Sequence, residues 1–329
     1  MKFLVAGFGS IGRRHFRNLL ELGEKDIVLY RTNRSTIPVD ELQGFPVETS
    51  LVAALAHKPD AVIISNPTGL HLEVAIPAAE LGCSIMMEKP ISGSLDGTQR
   101  LAQALQAGGG RLLMGYQFRF HPGLNKIKAL LAEGAIGEPL SARAHWGEYL
   151  PGWHPWEDYR QSYAARADLG GGVIGTLSHP LDYLRWLLGE VTALWGFSGK
   201  ISNLEISVED VAEIGLRFES GTLGSVHLNY FQRPGVHRLE ILGSQGTLRW
   251  DNSDGAARLL LPDQPEAVFA PPEGFERNHL FLDEMRHFIR VAAGSEAPIC
   301  SLEDGIKDME LVAAAHASAR AGQVVPIQN

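Results

Sequence analysis

The chain has little cysteine: two residues in 329, Cys83 and Cys300, which are far apart and give no metal-ligand spacing. That excludes a disulfide framework and fits a reducing cytoplasm, with each thiol a small buried hydrophobe. No apolar run approaches the ~20 residues needed to span a membrane as a helix. Basic residues are outnumbered, 29 Lys and Arg against 38 Asp and Glu, for a net charge of -9. General affinity for nucleic acid or an acidic membrane surface is therefore excluded. The apolar N-terminus is interrupted by glycines and followed by Arg13-Arg14, so it lacks the pattern of a signal peptide. No internal repeat is present.

What is present begins at once. Lys2 to Ala6 reads as a strand, and Gly7-Phe8-Gly9-Ser10-Ile11-Gly12 follows it directly. A helix comes next, with Ile11, His15, Leu19 and Leu22 on one face and Gly23 as its stop. In a G-x-G-x-x-G turn between a strand and a helix, the first glycine allows the tight turn and the second lets backbone approach a pyrophosphate. The third lets helix and strand pack closely. The free N–H groups of the helix start favour phosphate. A dinucleotide is the expected ligand.

The second strand, Asp26 to Tyr30, bears on which dinucleotide. An NAD site wants an acid near its end for the ribose 2′-OH. Here the run is Arg31-Thr32-Asn33-Arg34-Ser35, with two guanidiniums and three hydrogen-bonding side chains. A carboxylate would repel a 2′-phosphate, whereas arginine can bind one in two-pronged fashion. NADP is expected to be preferred over NAD. A solvated basic loop with little discrimination is the other reading.

The βα rhythm continues, with strands at 60–65, 84–88 and 111–115 and helices at 50–57, 70–81 and 94–107. Such alternation predicts a parallel, doubly wound sheet, with ligands outside the carboxyl ends of its strands. Asn66, Thr68 and His71 then lie on the same sheet edge as Gly9 and Lys89. Cofactor contact is expected of Asn66 and His71, while Thr68 serves equally well as a turn or cap residue. The run Ser84-Ile85-Met86-Met87-Glu88-Lys89-Pro90 carries a buried strand straight into an acid, a base and a proline, and X–Pro bonds are the ones able to be cis. It places Lys89 where a ligand would be.

Beyond Tyr116-Gln117-Phe118-Arg119-Phe120-His121-Pro122 the pattern changes. After a helix from Pro122 to Glu133, strand-like runs at 140–149, 191–198, 208–219, 222–231, 236–242 and 246–250 are separated by turn residues. Hairpin spacing predicts an antiparallel sheet. Helices at about 172–188, 277–293 and 303–321 are expected to cover one face. The other face, near Trp250, Phe231 and Tyr230, is either a subunit interface or a second core layer. The division expected is 1–120, a dinucleotide-binding Rossmann domain of α/β type, and 121–329, an α+β domain for substrate binding and oligomerisation. Two stretches of the second could do chemistry. The aromatic loop Trp146 to Tyr163 contains His154, Arg160 and Tyr163, although Trp153 and Trp156 serve as well as a hydrophobic plug. Gly170-Gly171-Gly172 opens a helix and is expected to let backbone approach a ligand. His179 and Asp182 follow, three apart and on one face.

This ordered set resembles the glucose–fructose oxidoreductase, inositol dehydrogenase and rhizopine-catabolism family, written Gfo/Idh/MocA. The likeness rests on Gly7-Phe8-Gly9-Ser10-Ile11-Gly12, Asn66-Pro67-Thr68 with His71, Glu88-Lys89-Pro90, Arg119 with Pro122, and Gly170-Gly171-Gly172 with His179 and Asp182. It covers nearly the whole chain. It implies a nicotinamide-binding domain, an antiparallel sheet domain that assembles dimers or tetramers through the sheet, and Lys89 and His179 at the reacting carbon. Many members carry an aspartate four residues before that histidine. Here the position is Gly175, beside Thr176, which leaves an aspartate-dependent proton relay without its acid. The segment Trp153-His154-Pro155-Trp156 through Tyr163 and Gly170 resembles a subgroup associated with surface-polysaccharide sugars, which points to a sugar or nucleotide-sugar as substrate.

The implied reaction is oxidation of a ring secondary alcohol, or its reverse, with no metal needed because hydride transfer is the cofactor's chemistry. A lysine base near pH 7 requires its pKa to fall roughly 3 pH units from 10.4, about 4 kcal/mol, whereas histidine needs almost none. Either Lys89 is strongly depressed, or His179 is the base and Lys89 polarises the oxygen. A shared Lys89–His179 arrangement is favoured, with Glu88 orienting Lys89. Arg119, Arg160, Tyr163 and Asp182 are the residues expected to hold substrate alongside His179. A dinucleotide sensor without turnover and a cofactor-retaining redox enzyme are the competing readings.

Overall fold

Short strands and helices alternate from the start of the chain: β1 (Phe3–Ala6), α1 (Ser10–Glu21), β2 (Ile27–Tyr30), β3 (Val47–Glu48), α2 (Leu51–Ala56), β4 (Ala61–Ile64), α3 (His71–Glu80), β5 (Ser84–Glu88), α4 (Thr98–Gly108) and β6 (Leu112–Gly115). The computed structural model describes residues 1–32, 40–155 and 157–327. The six strands form one parallel sheet in the order β3-β2-β1-β4-β5-β6. All residues of β1, β4 and β6 are buried, as in a parallel sheet covered on both faces. The order reverses between β1 and β4, which is where open α/β sheets bind ligands.

The next stretch supplies α5 (Pro122–Ala132), β7 (Pro139–Tyr149), α6 (Val173–Thr176), α7 (His179–Leu188), β8 (Val191–Gly199), β9 (Val211–Phe218), β10 (Leu223–Asn229), β11 (Phe231–Gly243), β12 (Thr247–Asp251), β13 (Ala257–Leu260) and β14 (Ala267–Phe269). The chain then forms α8 (Arg277–Ala292), α9 (Leu302–Ala321) and β15 (Val325–Pro326). The second sheet has nine strands in the order β14-β13-β12-β11-β7-β10-β9-β8-β15 and is antiparallel except where β10 runs beside β7. The α/β plus α+β organisation expected from the sequence is the one found.

Two compact units result: Met1–Gln117 with Glu276–Lys307, and Phe118–Phe275 with Asp308–Asn329. This departs from a simple cut at residue 120. The helix expected at 277–293 to cover the second sheet belongs to the first unit, where α8 packs on α1, β5 and β6. Phe281 and Phe288, each at most 1% exposed, anchor it, and burying each contributes about 1.5–3 kcal/mol. Arg111 Nη1 also donates to the Val291 carbonyl at 3.1 Å. Periodicity identifies such an apolar stripe, but not the sheet that receives it.

The predicted helix over 172–188 is broken into α6 and α7 around Leu177 and Ser178, just before Pro180. Trp250 and Tyr230 lie in the core, at 1% and 0% exposure, so they do not mark an open face. The open face of the second sheet instead carries Trp195, Phe197 and Leu223, all exposed. The Trp195 indole lies over Gly215, where a Cβ would collide with it.

Candidate active site

The glycine turn does three separate jobs. Gly7 has φ +96°, and a Cβ there would strike the Asn66 backbone. A Cβ at Gly12 would strike the Gly7 carbonyl and the Ser65 hydroxyl. At Gly9, which precedes α1, a Cβ would meet nothing within 4 Å. The turn is thus packed tightly against β4 on one side and open in front of Gly9 and the α1 N–H groups, with no acid in the first turn of α1 to compete for them. Phe8 is buried, Ile11 is half-buried and Ser10 is exposed at the start of the helix. Arg31, 7% exposed, sits at the end of β2 with its guanidinium 5.9 Å from the centre of the Phe8 ring. Its Nε and Nη1 are buried and have no hydrogen-bond partner among the described residues. The open space in front of Gly9 and the unsatisfied Arg31 guanidinium fit a dinucleotide. Thr32 is exposed, and Arg34 lies outside the described residues.

At the end of β4, Asn66 Nδ2 donates to the Leu70 carbonyl at 3.1 Å. Thr68 is buried. His71, also buried, places Nδ1 3.0 Å from the Pro90 carbonyl and Nε2 2.9 Å from the Asn66 carbonyl. Its ring therefore lies between the turn after β4 and the turn after β5, each nitrogen facing a backbone carbonyl. Burial holds His71 below the usual histidine range, with the Asn66 and Pro90 carbonyls and Glu88 pulling the other way. A neutral imidazole has one N–H, so only one of the two contacts can be a hydrogen bond in that state.

Lys89 is half-buried at the C-terminal end of β5, and the Lys89–Pro90 peptide is cis. Glu88, just before it, accepts from or shares a proton with His15 Nε2 at 2.7 Å. His15 is fully buried on α1, so a histidine on the apolar face of that helix serves as the carboxylate's partner.

In the second unit His179 is the first residue of α7 and 1% exposed. It packs edge-on to Phe118 at 5.0 Å and tilts against Trp146 at 5.4 Å. Asp182, one turn on, is fully buried. Arg119 donates to it from Nη2 at 2.6 Å and from Nε at 3.0 Å. The two side chains expected to hold substrate thus hold each other beneath α7. Arg185 continues the chain of charges, donating to Asp308 at 3.3 Å and to Glu190 at 3.0 Å. Burial and the neighbouring Asp182 push Asp308 above the usual carboxylate range, while Arg185 and Arg119 pull it back down.

The triple glycine has a packing explanation. A Cβ on Gly171 would meet the carbonyls of Tyr163, Ala164 and Arg166, and one on Gly172, at φ +115°, would meet the Glu209 carboxylate. Glu209 caps the segment, accepting from the Ile174 N–H at 3.2 Å. These glycines approach the protein's own loop and Glu209, where the sequence suggested a ligand. Arg160 is exposed and bound to Asp158 at 2.8 Å and Glu205 at 2.7 Å. Tyr163 is half-buried beside that loop.

Residues 1–116 match the oxidoreductase family with an NAD-binding Rossmann fold, and residues 124–249 match the GFO/IDH/MocA C-terminal domain. The chain belongs to the GFO/IDH/MocA oxidoreductase family. Among its relatives, myo-inositol 2-dehydrogenase of Thermotoga maritima is 27% identical over 321 residues, which cover 93% of this chain and 92% of that protein. A levoglucosan dehydrogenase solved in complex with NADH has the same fold, with a TM-score of 0.89 at 20% identity over 100% of this chain and 99% of the other. The WlbA dehydrogenase of Bordetella pertussis, solved with NADH and UDP-GlcNAcA, gives a TM-score of 0.81 at 22% identity, covering 100% of this chain and 98% of that one.

Four side chains that no motif flagged lie in or partly in the interior: His15, Glu284 and Asp308, which are buried, and Glu209, which is half-buried. His15 was visible as a polar residue three beyond the last glycine of the turn. The other three stand outside any motif, and only the fold brings them to α1, α6 and α7.

Proposed function

We propose that the chain is an NAD(P)-dependent oxidoreductase acting on CH–OH groups, moving hydride between the nicotinamide and a ring secondary alcohol of a sugar, nucleotide-sugar or cyclitol. The observation that carries this reading is in the first unit: one edge of the parallel sheet holds the open Gly9 cradle and, at the end of β5, Lys89. The names of the relatives, a cyclitol dehydrogenase, a levoglucosan dehydrogenase and one solved with a nucleotide-sugar, support the substrate class.

In this reading Gly7 to Gly12 hold the pyrophosphate and Asn66, Thr68 and Glu88 line the nicotinamide half. His71 acts by fixing the two turns. The bound nicotinamide supplies the hydride acceptor or donor. Lys89 and His179 form the acid–base pair at the hydroxyl, with Glu88 orienting Lys89. The aromatic walls of His179 keep its ring in one orientation and exclude water from it. Arg160 and Tyr163 contact substrate, while Arg119 and Asp182 act from beneath, fixing α7. NADP is preferred, through Arg31 and Arg34. The chain works in the cytoplasm, which suits two buried free cysteines, as a homodimer or homotetramer through the open face of the second sheet.

Titration of purified, cofactor-free protein with NADPH and with NADH, followed by nicotinamide fluorescence, tests this directly. Tighter NADPH binding is expected, and equal binding would remove the preference. Binding of neither would overturn the enzyme reading.

A further inference from the structure

One row of side chains crosses the open face of the second sheet from strand to strand. Glu213 on β9 lies opposite His227 on β10, and His227 opposite His145 on β7. His145 in turn lies opposite Arg238 on β11, and Arg238 opposite Asp251 on β12. On the other side the row reaches exposed Phe197 on β8, the partner of Glu213. Side chains alternate between the two faces of a sheet. The neighbours of these residues along the strands, among them Ile214, Val226, Leu228 and Leu239, are buried, so the row faces away from the core.

Hydrogen bonds fix where the proton sits on His227. Asn229 Oδ1 accepts from the Phe231 N–H at 3.1 Å, which turns Asn229 Nδ2 toward His227 Nε2 at 3.0 Å. An amide nitrogen only donates, so Nε2 accepts and the ring proton is on Nδ1, which donates to Glu213. The His145 ring is 4.6 Å from that of His227, and its Nε2 is buried with no hydrogen-bond partner among the described residues. Arg238 donates from Nε to Asp251 at 2.5 Å, and its guanidinium carries four further N–H groups. Glu213 and Arg238 are both exposed.

The row therefore reads acid, imidazole, imidazole, base. Turned end for end, it presents base to acid and imidazole to imidazole. A two-fold contact needs such a self-complementary patch. Sheets that pack face to face lie about 10 Å apart with their strands nearly aligned, a gap that a glutamate from one side and an arginine from the other can span.

We propose that this row docks a second copy of the chain about a two-fold axis between His227 and His145, with Glu213 of each copy against Arg238 of the other. This docking rests on the reading of the open face as the contact between copies. Four imidazoles meet at its axis, so acid opens it. A proton on His227 Nε2 sets donor against donor at Asn229, and a proton on His145 sets charge against the imidazoles of both copies. Burial, then His227, hold His145 below the usual histidine range; Arg238 acts the same way, and Gln232 and Glu213 oppose it. The adjacent row on this face adds Arg143, Glu240 and Arg249. Assembly that favours neutral histidines is strongest above the histidine range and weakens as pH falls through it.

Sedimentation velocity on Glu213→Arg, on Arg238→Glu and on their equimolar mixture tests the docking, with circular dichroism to show that each is folded. The native chain is expected as an oligomer at pH 8. Each variant alone is expected to assemble at least about a hundredfold more weakly, because like charges then face each other across the axis. The mixture is expected to recover the native sedimentation coefficient, since one copy then carries two bases and the other two acids. The native dissociation constant should rise at least about tenfold between pH 8 and pH 5, and His145→Gln with His227→Gln should abolish that dependence. A mixture no better assembled than either variant, or native assembly indifferent to pH, would overturn the docking. If Phe197→Glu gives a monomer while both charge variants stay assembled, the open face is the contact and this alignment is wrong. A native chain that is monomeric at pH 8 removes both readings.

Discussion

Arg119 and Asp182, 63 residues apart in sequence, meet in a buried ion pair with Nη2 and Oδ1 2.6 Å apart and side-chain exposures of 3% and 0%. The pair joins the segment after β6 to the helix that begins with His179. Removing one partner leaves a buried charge alone. Asp182→Asn is therefore expected to lower unfolding stability by about 3–5 kcal/mol, read as a lower urea midpoint at unchanged slope. The double variant Arg119→Met with Asp182→Leu recovers most of that loss. A stable Asp182→Asn protein with a raised KM would instead restore the direct substrate role.

His121 makes the fold sensitive to acid. His121 accepts from the Gly123 N–H at 3.0 Å through Nδ1 and stacks on Phe118. Burial lowers its pKa from 6.5 to about 4. The unfolded chain therefore binds the extra proton first as pH falls. Stability from this group is complete above about pH 6.5, is lost on the way down to about pH 4, and amounts to about 3 kcal/mol. Urea unfolding at pH 7.5 and 4.5 should show that loss, and His121→Gln should remove its share of it.

Arg31 decides between cofactors. Arg31→Ala is expected to weaken NADPH binding at least about tenfold, the worth of one charge-assisted hydrogen bond, and to leave NADH binding nearly unchanged. Equal losses for both would assign Arg31 to packing on Phe8.

The open sheet face is apolar where Trp195 and Phe197 meet, their rings 5.6 Å apart. Phe197, at 68% exposure, costs nothing to replace in a monomer and much in an interface. Phe197→Glu is expected to shift sedimentation velocity from an oligomer to the monomer. An unchanged sedimentation coefficient would place the interface elsewhere.

Most of the first unit was legible in the chain because its signals are local. Gly7, Gly9 and Gly12 sit between a strand and a helix, and each has the steric role the spacing implied. The antiparallel character of the second sheet was legible from its hairpin turns. What the chain did not announce is long-range. No local pattern says that α8 returns to the first sheet, that Asp182 is already taken by Arg119, or that Gly172 is small for Glu209. Buried acids such as Glu284 and Asp308 look like surface acids until the fold removes their water.

The most direct test of the account is a pair of pH–rate profiles, for Lys89→Met and His179→Ala, alongside NAD(P)H titrations of the same proteins. Both variants are expected to bind the dinucleotide as the native chain does and to lose at least about a hundredfold in kcat, each removing a different limb of the profile. Full activity in Lys89→Met would contradict the acid–base assignment on which the proposed reaction stands.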